Sequence, residues 1–304
     1  MNHDKAKGRA PLDYEPCRYA GSTLVFRGPQ RCVARDYVAF LGGSETYGRF
    51  IRTPFPALVE ERLGVPCVNF GWPNAGPDVM SGDAGLDRLV ARARAVVLQV
   101  PGALNLSNRF YRVHPRRNDR FLRATRPLQS LFPDVDFTEY TFTRHLLKSL
   151  QGLAPERFDL VRDELRTAWV ERMIDLVDRI EPPVIMLWFA ARLPERGAQR
   201  PEVVYDPAFV TRAMLDMVSA HAVRLVEVTT SAQARRLGTA GMVFAQAEEE
   251  AARCLPGPVA HVEAAQALLP ALRDVLGGVG GTGTGVATGT GVATGTGPVR
   301  LVLR

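Results

Sequence analysis

Short runs of apolar, β-favouring residues alternate along this chain with longer stretches whose apolar positions recur at helical spacing. YVAFL (37–41) predicts a first strand, and PFPALVEERLG (54–64), opened by proline and closed by glycine, predicts a helix after it. PCVNFG (66–71) and AVVLQV (95–100) read as two more strands with a helix near 81–93 between them. Further on, Trp169, Met173, Leu176, Val177 and Ile180 share a helical face, and Pro182 and Pro183 stop that helix before the strand VIMLWFA (184–190). A helix near 207–220, a strand AVRLVEV (222–228) and an alanine- and leucine-rich helix over 259–276 complete the alternation. This is the rhythm of an α/β protein, a parallel sheet with crossover helices.

The rhythm fails in two places. Between Ser107 and Leu165, arginines, prolines and acidic residues replace clean periodicity, which predicts an irregular Arg-rich insertion or cap around 107–165 within one domain spanning 1–276. The last segment, 277–304, repeats GVATGT and holds little large apolar surface, so it is expected to be a flexible tail without chemistry.

At 304 residues and 46% hydrophobic composition, the chain can bury a substantial core as one large domain. Its longest apolar run, PPVIMLWFAA (182–191), is too short for a bilayer, and MNHDKAKGRA at the start lacks the apolar segment of a secretory signal. A cytoplasmic protein without membrane partners is expected. Cys17, Cys32, Cys67 and Cys254 are scattered, which suggests neither a zinc site nor a disulfide and predicts reduced, buried thiols. The net charge of +6 is mild and sits largely in one arginine-rich segment, so a nucleic-acid partner is not expected.

The stretch FLGGSETYGRF (40–50) can hold chemistry in two incompatible ways. As a phosphate cradle, Gly43 and Gly48 have P-loop separation, but Arg49 stands where lysine belongs and Phe50 where the magnesium-binding hydroxyl belongs. Glu45 would also oppose phosphate oxygens. As a nucleophile turn, Gly42, Gly43 and Ser44 need only a strand before, a helix after and nearby N–H groups for an oxyanion. A plain turn whose serine caps the next helix satisfies the same residues.

Partners at a distance favour the nucleophile. The second strand runs into VNFGWPNAGPD (68–78), the third into LQVPGALNLSN (98–108), and LPGPVAH (255–261) puts His261 at the start of the last helix. In this order the blocks resemble those of the SGNH (GDSL-type) hydrolases. That resemblance implies a three-layer α/β/α sandwich with a mostly parallel, flavodoxin-like sheet and a site for an ester or acyl group. It implies Ser44 as nucleophile, His261 as base and then acid, and the N–H groups of Ser44 and Asn74 with the Asn105 amide as oxyanion donors. Gly43, Glu45 and Asn108 would line the substrate. The sequence departs from the pattern at Gly43, where the family has aspartate; at Asn74, where it has glycine; and at Pro258, where it has the triad carboxylate. A Ser44–His261 dyad, with less activation than a triad, is what remains. GGSETYG, SNRFYRVHPRRNDRF and AWVERM together also resemble an uncharacterised bacterial family of SGNH-like proteins, which transfers no function.

SNRFYRVHPRRNDRF (107–121) follows the third strand directly, and loops at the carboxyl ends of parallel strands line sites in open α/β sheets. Arg109, Arg112, Arg116, Arg117 and Arg120 are therefore candidates to bind an anionic substrate, with Arg109, Arg112 and Arg116 foremost. The competing reading is a solvated loop pinned by Asp119, Asp134 and Asp136, with His114 structural. The expectation is a serine esterase or acyl hydrolase or transferase that needs no metal or organic cofactor and acts on a small-molecule or acyl-carrier-linked substrate. Two others stay open: a non-catalytic ligand-binding protein on the same fold, and a nucleotide- or sulfonucleotide-binding transferase using GSETYGR.

Overall fold

The computed structural model describes residues 12–194, Val203, residues 206–278 and residues 300–302. In chain order the first part carries β1 (Val38–Gly42), α1 (Ser44–Tyr47), α2 (Phe55–Leu63), β2 (Cys67–Gly71), α3 (Pro77–Met80), α4 (Ala84–Ala91) and β3 (Ala95–Gln99). Then come β4 (Tyr111–His114), β5 (Arg117–Ala124), α5 (Arg126–Leu131), α6 (Thr143–Leu153), α7 (Pro155–Asp178) and β6 (Val184–Ala190). The last part holds α8 (Arg212–Ser219), β7 (Arg224–Thr229), α9 (Ala232–Leu237), α10 (Glu249–Arg253), α11 (Pro258–Gly278) and β8 (Arg300–Val302).

The main sheet runs β2-β1-β3-β6-β7-β8 with every pairing parallel. Its first five strands follow the flavodoxin-like order, whose ligand crevice opens where the connections diverge, between the first and third strands. Alternation along β1 divides the core: Ala39 and Leu41 join one apolar cluster, Val38 and Phe40 the other. The first cluster takes in Leu86 and Leu89 of α4, Trp169 and Met173 of α7 and Leu215 of α8; the second takes in Phe55 and Val59 of α2, Ala234 of α9 and Ala264 and Leu268 of α11. The α/β/α sandwich follows. β1, β3 and β6 are buried along their whole length, as strands covered on both faces must be.

The segment after β3 is an extension of the first cluster. β4 and β5 pair as an antiparallel hairpin, and Tyr111, Phe121, Leu128, Phe132 and Leu146 bury their side chains in that cluster. Most of the GVATGT-rich end lies outside the described residues, while Arg300–Val302 adds a short parallel strand beside β7. Among the described residues no helix is long and apolar enough to cross a membrane. The cysteines are unpaired, but only Cys67 is buried; Cys32 and Cys254 are exposed, which corrects the expectation of buried thiols.

A segment the pattern of strands and helices leaves unread, residues 12–36, packs along the β2 edge. Tyr19, Leu24 and Phe26 enter the first cluster, and Arg27, 7% exposed, follows them inward. Its guanidinium donates to the carbonyls of Tyr47 (3.1 Å), Gly48 (2.6 Å), Ile51 (2.7 Å) and Arg52 (2.8 Å). One side chain thus holds the whole loop between α1 and α2.

Candidate functional site

The loops leaving β1, β2 and β3 meet at the carboxyl edge of the sheet. Gly42 ends β1, and a Cβ there would stand 2.1 Å from Thr46 Oγ1 and 2.5 Å from Gln99 Oε1. Glycine therefore admits the Gln99 side chain beneath the turn. Gln99 Oε1 accepts hydrogen bonds from the Gly43 N–H (3.0 Å), the Thr46 N–H (3.2 Å) and the Thr46 hydroxyl (2.6 Å). With its oxygen committed, its Nε2 turns outward and donates to Glu45 Oε2 at 2.9 Å.

These bonds dispose of the phosphate cradle. The N–H groups of Gly43 and Thr46 go to Gln99, and those of Tyr47 and Gly48 go to the carbonyls of Gly43 and Ser44. An anion-binding nest needs such donors unspent.

Ser44, at the start of α1, is matched to the second loop. Its Oγ accepts from the Asn74 N–H at 3.0 Å and donates to Asn74 Oδ1 at 3.2 Å. Asn74 holds a left-handed backbone, φ 57°, a conformation asparagine tolerates better than most residues. Its Nδ2 donates to Asp119 of β5 at 3.0 Å. Gly76 brings the third loop against the second, since a Cβ there would lie 1.7 Å from the Asn105 carbonyl. Asn105 Nδ2 donates to the Asn74 carbonyl (3.2 Å), and its Oδ1 accepts from the Thr143 hydroxyl (2.8 Å). Ser44, Asn74 and Asn105 share one cleft with Gly43, Glu45 and Gln99.

Arg144 and Asp206 complete that cleft, and neither carries a periodic or motif signal along the chain. Arg144 Nη2 donates to both Asp206 carboxylate oxygens, at 2.8 and 2.7 Å. Burial first, and the Asp206 charge second, push the Glu45 carboxyl above its ordinary range; the Gln99 hydrogen bond and Arg144 oppose them.

His261 is elsewhere. Its ring is 1% exposed, stacks on Phe55 at 5.8 Å, stands edge-on to Phe189 at 5.4 Å, and accepts the Phe55 N–H through Nδ1 at 3.1 Å. Burial, helped by the Arg27 charge and opposed by a backbone hydrogen bond at Pro256, pushes its pKa down to about 3. The cleft is lined at this point by Leu255 and Phe189, and no hydrogen bond joins His261 to Ser44. The expected Ser44–His261 contact is thereby corrected. α11 begins at Pro258, so His261 sits one turn inside and shares the buried stripe of Ala264, Ala265 and Leu268.

The arginine expectation is corrected too. Arg109 and Arg112 line a separate cleft on α7 with Glu164, Glu171, Arg172 and Asp175, and Arg116 meets Trp72 through its carbonyl, at 2.8 Å. The guanidinium in the Ser44 cleft is that of Arg144. Nor is the hairpin pinned by salt bridges, since none of Arg109, Arg112, Arg116, Arg117 or Arg120 forms one among the described residues. It is pinned by Asn118, whose Oδ1 accepts from the N–H groups of Gly76 (2.9 Å) and Val79 (3.1 Å). Asn108 is a turn residue whose Oδ1 accepts the Phe110 and Tyr111 N–H groups at 2.8 and 3.2 Å, and it stays outside the Ser44 cleft. His114 Nδ1 accepts the Arg116 N–H at 3.2 Å within the hairpin turn.

Residues 1–276 match the domain of unknown function DUF6473. The chain belongs to that family. The DUF6473 match runs through the first five strands of the sheet, the hairpin and nearly all of α11, so Ser44, Asn74, Asn105, Arg144 and Asp206 all fall inside it. No curated protein matches the sequence. Among solved structures, the chain is similar to a carbohydrate acetylesterase family member from Sinorhizobium meliloti at 10% identity and a TM-score of 0.38, over 80% of this chain and 100% of that one.

Proposed function

We propose that this DUF6473 protein is a serine-dependent acyl or ester hydrolase, or a transferase of the same geometry, with Ser44 as the attacking hydroxyl. The observation that supports this reading is the convergence of Ser44, Asn74 and Asn105 in one cleft at the switch point of the sheet. Ser44 Oγ attacks the carbonyl carbon, and the developing oxyanion takes the Ser44 N–H, the second Nδ2 hydrogen of Asn105 and the Asn74 N–H, which exchanges its 3.0 Å bond to Ser44 Oγ for the new one. Asn74 Oδ1 accepts the hydroxyl hydrogen and orients it, but a neutral amide is no base. His261 has no part in the chemistry. The substrate is a small molecule or an acyl-carrier-linked group whose reacting end fits between Arg144 and Asn105.

One observation favours a second reading, a ligand-binding protein on the same fold: the imidazole is spent on Phe55. Hydrolysis of p-nitrophenyl acetate separates the two. The esterase reading expects Ser44→Ala to lose at least about 100-fold in kcat/KM with its melting temperature kept. Equal turnover in the two proteins contradicts it, and an inert wild type favours the binding reading.

A further inference from the structure

Resting on the Ser44 reading, we infer that Glu45 is the acid–base group of the cleft, filling the role that His261 leaves vacant. Two carboxyl side chains line the cleft with Ser44, and their settings differ. Asp206 is held by the Arg144 guanidinium through both oxygens, at 2.8 and 2.7 Å. That pairing commits both of its oxygens to the guanidinium. Glu45 has no such cation of its own. Its side-chain partner is Gln99 Nε2, 2.9 Å from Oε2, and Gln99 cannot turn its amide over without presenting N–H groups to the donors of Gly43 and Thr46. The clamp, with a hydrogen bond from the Glu45 backbone, holds the carboxyl within the Ser44 cleft.

Three further facts suit the carboxyl to proton transfer. Glu45 follows Ser44 directly on α1, so the rigid turn that presents the hydroxyl also presents the acid. It is half-buried, which disfavours its charge, and the nearby Asp206 disfavours it again, with Arg144 opposing both. A carboxyl with raised proton affinity is what general acid–base work near neutral pH requires. The charged groups facing it are Asp206, in the connection before α8, and Arg144, in the first turn of α6.

The steps balance without a further reagent. As Ser44 Oγ bonds to the acyl carbon, its proton passes to the Glu45 carboxylate, directly or through one water. Glu45 then returns that proton to the leaving oxygen as the carbon–oxygen bond breaks. In the second half it takes a proton from the incoming water or alcohol, whose oxygen bonds to the acyl carbon, and gives it back to Ser44 Oγ as the acyl bond to serine breaks. Glu45 ends as it began.

The test uses the full chain with p-nitrophenyl acetate across pH 4–9, together with carboxyl carbon NMR of protein labelled at glutamate. Glu45→Gln should lower kcat/KM by at least about 100-fold and abolish the acid limb of the pH profile. Asp206→Asn, which removes the like charge, should move that limb to lower pH, a shift read from the shape of the profile and independent of its height. The NMR signal missing from Glu45→Gln should titrate above the ordinary carboxylate range in the wild type. A Glu45→Gln protein with the wild-type rate and pH profile overturns the assignment, and so does a Glu45 signal titrating in the ordinary range. Those results leave the Ser44 reading standing, whereas unchanged turnover in Ser44→Ala removes that reading itself.

Discussion

Arg27→Met should lower the unfolding free energy by about 3–5 kcal/mol, the largest loss expected from any single change away from the sheet. The guanidinium spans the carbonyls of Tyr47, Gly48, Ile51 and Arg52; Gly48 also accepts the Ile51 N–H and Arg52 is exposed, so it is the Tyr47 and Ile51 carbonyls that lose their partner when the side chain becomes apolar. A methionine would fill the volume but leave those acceptors in a water-poor pocket. Arg27→Lys should recover only part of the loss, because one ammonium lacks the planar fork that reaches both ends of the loop. Urea unfolding followed by tryptophan fluorescence measures this, and a loss below about 1 kcal/mol for Arg27→Met would show that the loop holds itself. Since that loop follows α1, the short helix that Ser44 opens, the variant should also lose activity before it loses secondary structure.

Acidification should destabilise the protein through His261, and the sign follows from its burial. The folded-state pKa is pushed down to about 3, below the ordinary value of 6.5, so between these the unfolded chain binds a proton that the folded one refuses. Stability contributed by the neutral ring is fully present above the unfolded value and is lost as pH falls from there toward the folded value. The slope is about 1.4 kcal/mol for each pH unit across that window, several kcal/mol in all. His261→Gln should flatten the acid limb of the stability curve. It should also cost about 1–3 kcal/mol at neutral pH, since the Phe55 N–H loses its acceptor and the stack between Phe55 and Phe189 is disturbed. Denaturant midpoints from pH 3 to 8 decide the matter; parallel curves for the two proteins would mean that the ring is not held neutral.

Hydrophobic pattern carried most of the architecture. VIMLWFA (184–190) coincides with β6, and YVAFL and AVVLQV lie within a residue of β1 and β3, because strands buried on both faces read as unbroken apolar runs. Ser44, Asn74 and Asn105 were legible for a related reason: each follows a strand so recognised, and strand ends in a parallel sheet converge. His261 was misread because its place at the start of the last helix matched the position where the resemblance puts the base. Its spacing of three, four and seven residues from Ala264, Ala265 and Leu268 carried the contrary signal, that of a buried helical face.

The arginine-rich segment shows a different limit. Its charge density drew attention to side chains, yet what docks the hairpin beside the cleft is Asn118, the Asp119 carboxylate and the Arg116 carbonyl. Charge in a sequence says nothing about which way a strand faces. Arg144 and Asp206 were invisible for want of any motif, being 62 residues apart and joined only by the fold. Gln99 had a weaker excuse. A polar residue closing the apolar run AVVLQ must find partners when buried, and the glycine-flanked turn after β1 was the nearest supply.

The central claim is that Ser44 is chemically competent without an imidazole beside it. Treatment with a fluorophosphonate, followed by mass mapping of the adduct in the wild type, Ser44→Ala and His261→Gln, tests it directly. A single adduct on Ser44 in the wild type and in His261→Gln, absent from Ser44→Ala, is the result this account predicts; a wild-type protein that stays unlabelled, or one whose adduct disappears in a folded His261→Gln variant, would contradict it.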